Sequence, residues 1–280
     1  MGHAQSRRAQ SRAPDSQIRS AETIRLIARH AARSFVAVIL PVRLKAVIHR
    51  GKVFRSLPRR PEKIVMTQAD LTLFHFPAAC SQVAVFALEH AGLAYRLELI
   101  NLVAGAQSQP GYLVQSPLGK VPLLLIDGEP LTENAAILTY IAALRPDAGL
   151  FPVSDSPRMK GEIVGGMSFC GGTLHPTVRG IANPARITTG AVAPVHERST
   201  ELAVKAFGHA ERRLGERGWW LGEWSIIDVY LNWAFSVARY AGFDTTALPF
   251  LSSLKYRLAV YPAYARMMAI DTEARATLGH

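Results

Sequence analysis

Ser116 to Leu144 reads SPLGKVPLLLIDGEPLTENAAILTYIAAL, and its parts come in an order that decides the fold. Ser116-Pro117-Leu118-Gly119 is a turn, and Lys120-Val121-Pro122 leads into an apolar strand from Leu123 to Ile126. Asp127-Gly128 is a hairpin signal, because both residues tolerate a positive φ. A second strand, Pro130 to Thr132, runs into Glu133-Asn134 and then a helix. Ala135, Ile137, Leu138, Ile141 and Leu144 give that helix an apolar face.

This order has chemical consequences. Proline removes a ladder donor, so Pro122 belongs at a strand start or edge. A cis Val121-Pro122 bond would make the turn tight and leave the Val121 backbone available to an antiparallel peptide. Asn134 stands where an N-cap would, with Glu133 before it. Backbone N–H groups there can hold a carboxylate, and the neighbouring Glu can meet an amine. The stretch is therefore suited to a small peptide carrying both an α-carboxylate and an α-amine.

The combination P-x-G-K-V-P-x-L, hairpin, T-E-N-x-A-I-x-x-Y-I resembles the glutathione-binding half of the cytosolic glutathione transferases. The resemblance implies glutathione as cosubstrate, with Pro122 cis, Val121 on the cysteinyl backbone, and Glu133 and Asn134 on the γ-glutamyl end. Asn134 stands where the family usually has Ser.

Upstream, Leu71 to Phe76 reads as a strand, Ser81 to Ala91 as a helix closed by Gly92, and Tyr95 to Leu102 as a second strand. Strand-helix-strand, then hairpin and helix, is the order of a thioredoxin-like domain in the family. Cys80 lies at the loop-to-helix junction, where free N–H groups and the helix dipole favour thiolate. The phrase PAACS, Pro77 to Ser81, resembles the bacterial beta class, which carries a cysteine at this spot. Two readings compete with a catalytic Cys80: an inert thiol packed behind the helix, and Ser81 as the working residue. The loop Val103 to Gln109 holds no Lys or Arg, where the family often has a base for the glycyl carboxylate; Lys120 is the candidate substitute.

Beyond the linker Arg145 to Pro152, helical spacing dominates. Helices are expected over Leu202 to Leu214, from Ser225 through Tyr240, over 247–258 and over 262–270. Ser225-Ile226-Ile227-Asp228 reads as a capping-box variant with a structural role only. Leu174-His175 matches an L-H of the beta class, whose His reaches toward the glutathione sulfur. Ser168, Gly172 and His175, spaced i, i+4, i+7, would share one face of a continuous helix. Gly171-Gly172 and Pro176 are expected to bend it.

Composition excludes several classes. Two cysteines argue against a disulfide scaffold and for a reducing compartment, here read as cytoplasmic. No apolar run reaches transmembrane length. The formal charge of +11 is concentrated: residues 1–65 hold 15 Lys/Arg and 3 Asp/Glu, the remainder 17 and 18. A basic extension therefore supports no nucleic-acid role for the main body. For residues 1–65 three readings stand: a targeting segment, a membrane-surface helix, or a start placed too early with Met66 as the native first residue.

The expected architecture is a basic extension over 1–65, an α/β thioredoxin-like domain over 68–146 and an all-α domain over 153–275. The expected activity is transfer of glutathione to a small hydrophobic electrophile by a homodimer that needs no metal, with Cys80, His175 and Ser81 as catalytic candidates. Lys120, Val121, Pro122, Glu133, Asn134 and Ser168 are the glutathione-binding candidates. Thiol exchange and reductive lysis are close variants. The alternative is a glutathione-fold binding protein with little turnover, motivated by Ser168 and Gly172 standing where the family has more polar residues.

Overall fold

The computed structural model describes residues 69–279. The expectations for residues 1–65, and Met66 as a start, lie outside the described residues. The described residues belong to one compact unit.

Four strands make one mixed sheet in the order β2-β1-β3-β4: β1 Leu71–His75, β2 Arg96–Leu99, β3 Leu123–Ile126 and β4 Glu129–Thr132. β1 runs parallel to β2 and antiparallel to β3, and β3 and β4 close the hairpin at Asp127-Gly128. Both turn residues take the expected positive φ, 51° and 88°. Central β1 is buried on both faces except at Phe74. The second strand is shorter than the expected Tyr95 to Leu102: past Leu99 only Ile100 still bonds to β1, through the His75 carbonyl, before the chain turns at Asn101.

Helix α1, Ser81–Ala91, has eight buried residues, with Phe86 and Leu88 fully enclosed. Burying a side chain of that size contributes about 1.5–3 kcal/mol. α1 stops at Gly92, whose φ of 62° suits glycine; Leu93 N–H then reaches the Leu88 carbonyl at 3.1 Å, a Schellman closure. A short turn α2, Pro110–Leu113, brings Tyr112 under the opposite sheet face, against Phe74. Helix α3, Asn134–Leu144, packs on α1 through Ile137, Leu138 and Ile141.

The C-terminal region is helical: α4 Pro157–Ser168, a π-helical segment Phe169–Leu174, α5 His175–Ala182, α6 Ala193–Arg217, α7 Ile226–Tyr240, α8 Pro249–Leu258 and α9 Pro262–Leu278. A Cβ at Gly180 would collide with Ser199, so glycine is what lets α5 and α6 lie so close. α7 is the most buried helix, and its start is a full capping box. The Asp228 carboxylate accepts from Ser225 N–H (3.0 Å), Ser225 hydroxyl (3.1 Å) and Trp220 N–H (2.9 Å).

Helices α7 and α9 both reach back to α1. Arg266 of α9 pairs with Glu89 at 2.6 Å. More consequential is Ala78, in the loop between β1 and α1, with φ 60°. Its N–H donates to Asp271 of α9 at 2.8 Å, and its carbonyl accepts from the Trp233 indole of α7 at 3.1 Å. The peptide groups flanking Ala78, two residues before Cys80, are thus held by helices 193 and 155 residues away in sequence. No helix among the described residues is long and apolar enough to cross a membrane.

Candidate functional site

The thioredoxin-like part and the helical part meet at a cavity of about 650 Å³, within the usual size range of small-molecule sites. Cys80, Lys120, Val121, Pro122, Glu133, Asn134 and His175, all expected from sequence, line it. Ser81 and Ser168 do not.

The Val121-Pro122 peptide is cis. Ser116 and Tyr112 hold the turn by donating to the Lys120 carbonyl, at 3.1 and 2.7 Å. The sequence reading left the Val121 carbonyl free; instead it accepts the Cys80 thiol at 3.3 Å. Across the cavity α3 starts at Asn134, one residue earlier in the helix frame than the N-cap expected. Glu133 takes the cap position with φ 71°, a left-handed conformation rare for a residue with a side chain and often found where a site demands it. The Asn134 amide donates 3.0 Å to the Cys80 carbonyl, tying the two binding elements together.

Cys80 is buried at 5% exposure. Burial pushes its thiol up to about 12, and the nearby Arg179 charge opposes this only in part. This corrects the expectation of a lowered value: the helix end is enclosed, and removing a thiolate from water outweighs a half-charge of helix dipole. Cys170, also buried, is raised further by burial and by Asp228. Both cysteines are free.

Ser81 points away from the cavity. Its hydroxyl sits 2.8 Å from His75 Nδ1 and 3.4 Å from the Phe76 backbone, fully buried. His75 Nε2 lies 3.5 Å from Asp271. Ser81 is therefore corrected from catalytic candidate to part of an internal Ser-His-Asp chain that anchors the loop before α1.

His175 opens α5 and is half-buried, its ring edge-on to Trp233 at 4.7 Å. Burial, with Arg179 and Lys120 nearby, lowers its imidazole to about 4, so it is neutral near pH 7. Ser168 is exposed and lies outside the cavity wall. Its shared face with His175 required a continuous α-helix. The intervening π segment adds a residue to the turn and rotates what precedes it by about 100°. Gly171 and Gly172 line the cavity instead.

Three cavity residues that bear on the chemistry escaped the sequence reading: Tyr230, Arg179 and Arg186. Tyr230, third residue after the capping-box Ile227, brings its hydroxyl 3.4 Å from His175 Nδ1. Burial first, then the neighbouring Cys80, raises its phenol well above the ordinary tyrosine value, so it stays protonated and able to donate. The signal was available: a helix start read as purely structural also aims the residues just after it. Arg179 follows His175 by four residues on α5, a spacing that keeps both on one face.

The assembly offers the backbone of Val121 at a cis-proline bend, a helix start flanked by a carboxylate, and a buried thiol in one cavity with a protonated phenol and a neutral imidazole. Among the described residues no His, Cys, Asp and Glu cluster could hold a metal.

Comparison with known proteins agrees with this geometry. Residues 69–143 match the family model for the glutathione S-transferase N-terminal domain. Glutathione S-transferase GST-4.5 of Xanthomonas campestris pv. campestris is 30% identical over 191 residues, which are 67% of this chain and 92% of the relative. A glutathione transferase homologue from Sulfitobacter, solved with bound glutathione, superposes with a TM-score of 0.66 at 25% identity, over 71% of this chain and 97% of that one. A bacterial beta class enzyme from Sphingomonas chungbukensis gives 0.64 at 28%, over 71% and 98%. Fold, cavity and sequence likeness agree, and the chain belongs to the cytosolic glutathione S-transferase family.

Proposed function

We propose that the chain is a beta-like glutathione transferase that conjugates glutathione to a small electrophile. The observation that carries this is that one cavity joins the cis Val121-Pro122 turn, the Glu133-Asn134 helix start and the Cys80 thiol. Glutathione lies with its cysteinyl backbone along Val121 and its γ-glutamyl amine against Glu133. Lys120, exposed at the rim, faces a carboxylate of the peptide.

The reaction needs the glutathione thiol to lose its proton to solvent and the resulting thiolate to attack carbon, forming a C–S bond as a leaving group departs with its electron pair or a double bond takes up the pair and then a proton from solvent. Cys80 borders the sulfur as a neutral thiol. Tyr230 donates a hydrogen bond to the developing thiolate, and neutral His175 adds a second polar contact. These roles fit preorganised donors aimed at a charge that forms during reaction. Thiol exchange is the weaker variant: with its thiol raised to about 12, Cys80 supplies little thiolate near pH 7. The homodimer and the cytoplasmic setting belong to the same reading, the latter supported by two unbridged cysteines.

The test is steady-state turnover of glutathione with a chloronitroaromatic, together with retention on glutathione resin. Wild type should turn over and be retained. Glu133→Ala should raise the KM for glutathione about tenfold, the cost of one charge-assisted contact. Retention without turnover would favour a binding protein; absence of both retention and turnover would refute the glutathione site.

A further inference from the structure

The wall of the cavity facing the glutathione elements carries charge that the proposed glutathione contacts do not use. Among its lining residues are three cations, Lys120, Arg179 and Arg186, against one carboxylate, Glu133. Lys120 and Glu133 stand on the peptide side. Arg179, on α5, and Arg186, in the turn after it, stand on the other, with Asn183 between them in sequence.

Arg179 is half-buried, and no carboxylate among the described residues forms an ion pair with it or with Arg186. This contrasts with the other arginine cluster of the helical part, where Glu162 takes both Arg213 (2.9 Å) and Arg217 (2.8 Å). Withdrawing a guanidinium from water without a counter-charge is costly. Here the cost is compounded, because burial and the like charge of Arg186 both oppose the charged form of Arg179. Such a pair is stable in company with an anion. Guanidinium forks match carboxylate geometry, and an amide such as Asn183 can add a further donor. Arg179 lies one helical turn past His175, so an anion there sits about one turn from the sulfur's polar neighbours.

We infer that Arg179 and Arg186 form a subsite for an anionic group of the electrophile, making the preferred substrate a small carboxylate-bearing electrophile rather than a neutral hydrophobic one. This rests on the glutathione reading above, which puts the reacting sulfur beside Cys80 and leaves this wall to the second substrate.

The matched probes are 4-chloro-3,5-dinitrobenzoate and its methyl ester, which share a reacting carbon and differ by one charge. Kinetics are run on the full chain at fixed glutathione, at more than one salt concentration. Wild type should show a KM for the acid about tenfold below that for the ester, and Arg186→Gln and Arg179→Gln should each remove most of that ratio. Added salt should also shrink it. An acid-to-ester KM ratio near one in wild type overturns the inference while leaving the glutathione reading intact. A rise in glutathione KM with either arginine variant, regardless of electrophile, also overturns it and assigns the arginines to the glutathione carboxylates. An equal fall in kcat for both electrophiles at unchanged KM overturns it in favour of a thiolate-stabilising role. Calorimetric titration of acid and ester, with thiol-blocked S-methylglutathione present, reads the same preference without turnover. There, failure to bind S-methylglutathione refutes the glutathione reading, and equal affinity for acid and ester refutes the subsite.

Discussion

Ser81 and Cys80 are neighbours in sequence with opposite fates. Cys80 faces the cavity and the Val121 carbonyl, and Ser81 turns inward to His75. Both are buried, and in both cases enclosure decides the chemistry: a thiol that stays protonated and a hydroxyl committed to structure. His175 obeys the same rule with the opposite sign. Its folded-state value near 4 lies below the ordinary 6.5. Between those values the unfolded chain binds a proton that the folded chain refuses, so His175 lowers stability as pH falls from about 6.5 to about 4. His175→Gln should remove that slope. Comparing melts at pH 7 and pH 4.5, the melting temperature of wild type relative to the variant should fall by roughly 4–8 °C, the shift of about 2 kcal/mol in a chain this size. Parallel curves for the two proteins would show that His175 titrates normally.

At the scale of elements, α7 links stability to the site. Its capping box sits at full burial, and Asp228 satisfies three donors there. Tyr230 follows by two residues, so the cap fixes the register that brings its hydroxyl toward His175 and Cys80. Asp228→Ala removes the cap and strands buried N–H groups at Trp220 and Ser225. The expected cost is about 2 kcal/mol or more, read as a lower denaturant midpoint with unchanged slope. Asp228→Asn, which keeps one acceptor, should recover part of it. An alanine variant as stable as wild type would mean the cap is redundant. The π segment works at the same scale: one added residue moved Ser168 off the wall and left Gly171 and Gly172 on it.

Across the whole molecule, the helical part does more than border the cavity. Asp271 and Trp233 grip the two sides of Ala78, so the loop presenting Cys80 is shaped by α7 and α9. Every cavity residue named above lies within residues 69–279. The +12 carried by residues 1–65 is separate from the near-neutral remainder. Removing residues 1–65 should therefore leave the melting temperature within about 5 °C of the full chain and glutathione turnover unchanged. A larger loss, equivalent to more than about 1 kcal/mol, would mean that the extension contributes to the folded core.

Sequence by itself determined the thioredoxin-like order, the hairpin at Asp127-Gly128, the end of α1 at Gly92, the start of α7 at Ser225 and seven of the residues that line the cavity. Those features are written in short-range chemistry: glycine's access to positive φ, proline's missing donor, a Ser-Asp cap, and apolar spacing. Tertiary structure alone decided which thiol or hydroxyl meets the cavity, that Tyr230 and two arginines join it, that Ser168 leaves it, and that Cys80 is protonated. Side-chain direction past a π turn, and the free energy of charging a group, depend on what encloses it. For Cys80 that enclosure comes from Val121, 41 residues along, and from helices beyond residue 220, which no local pattern encodes.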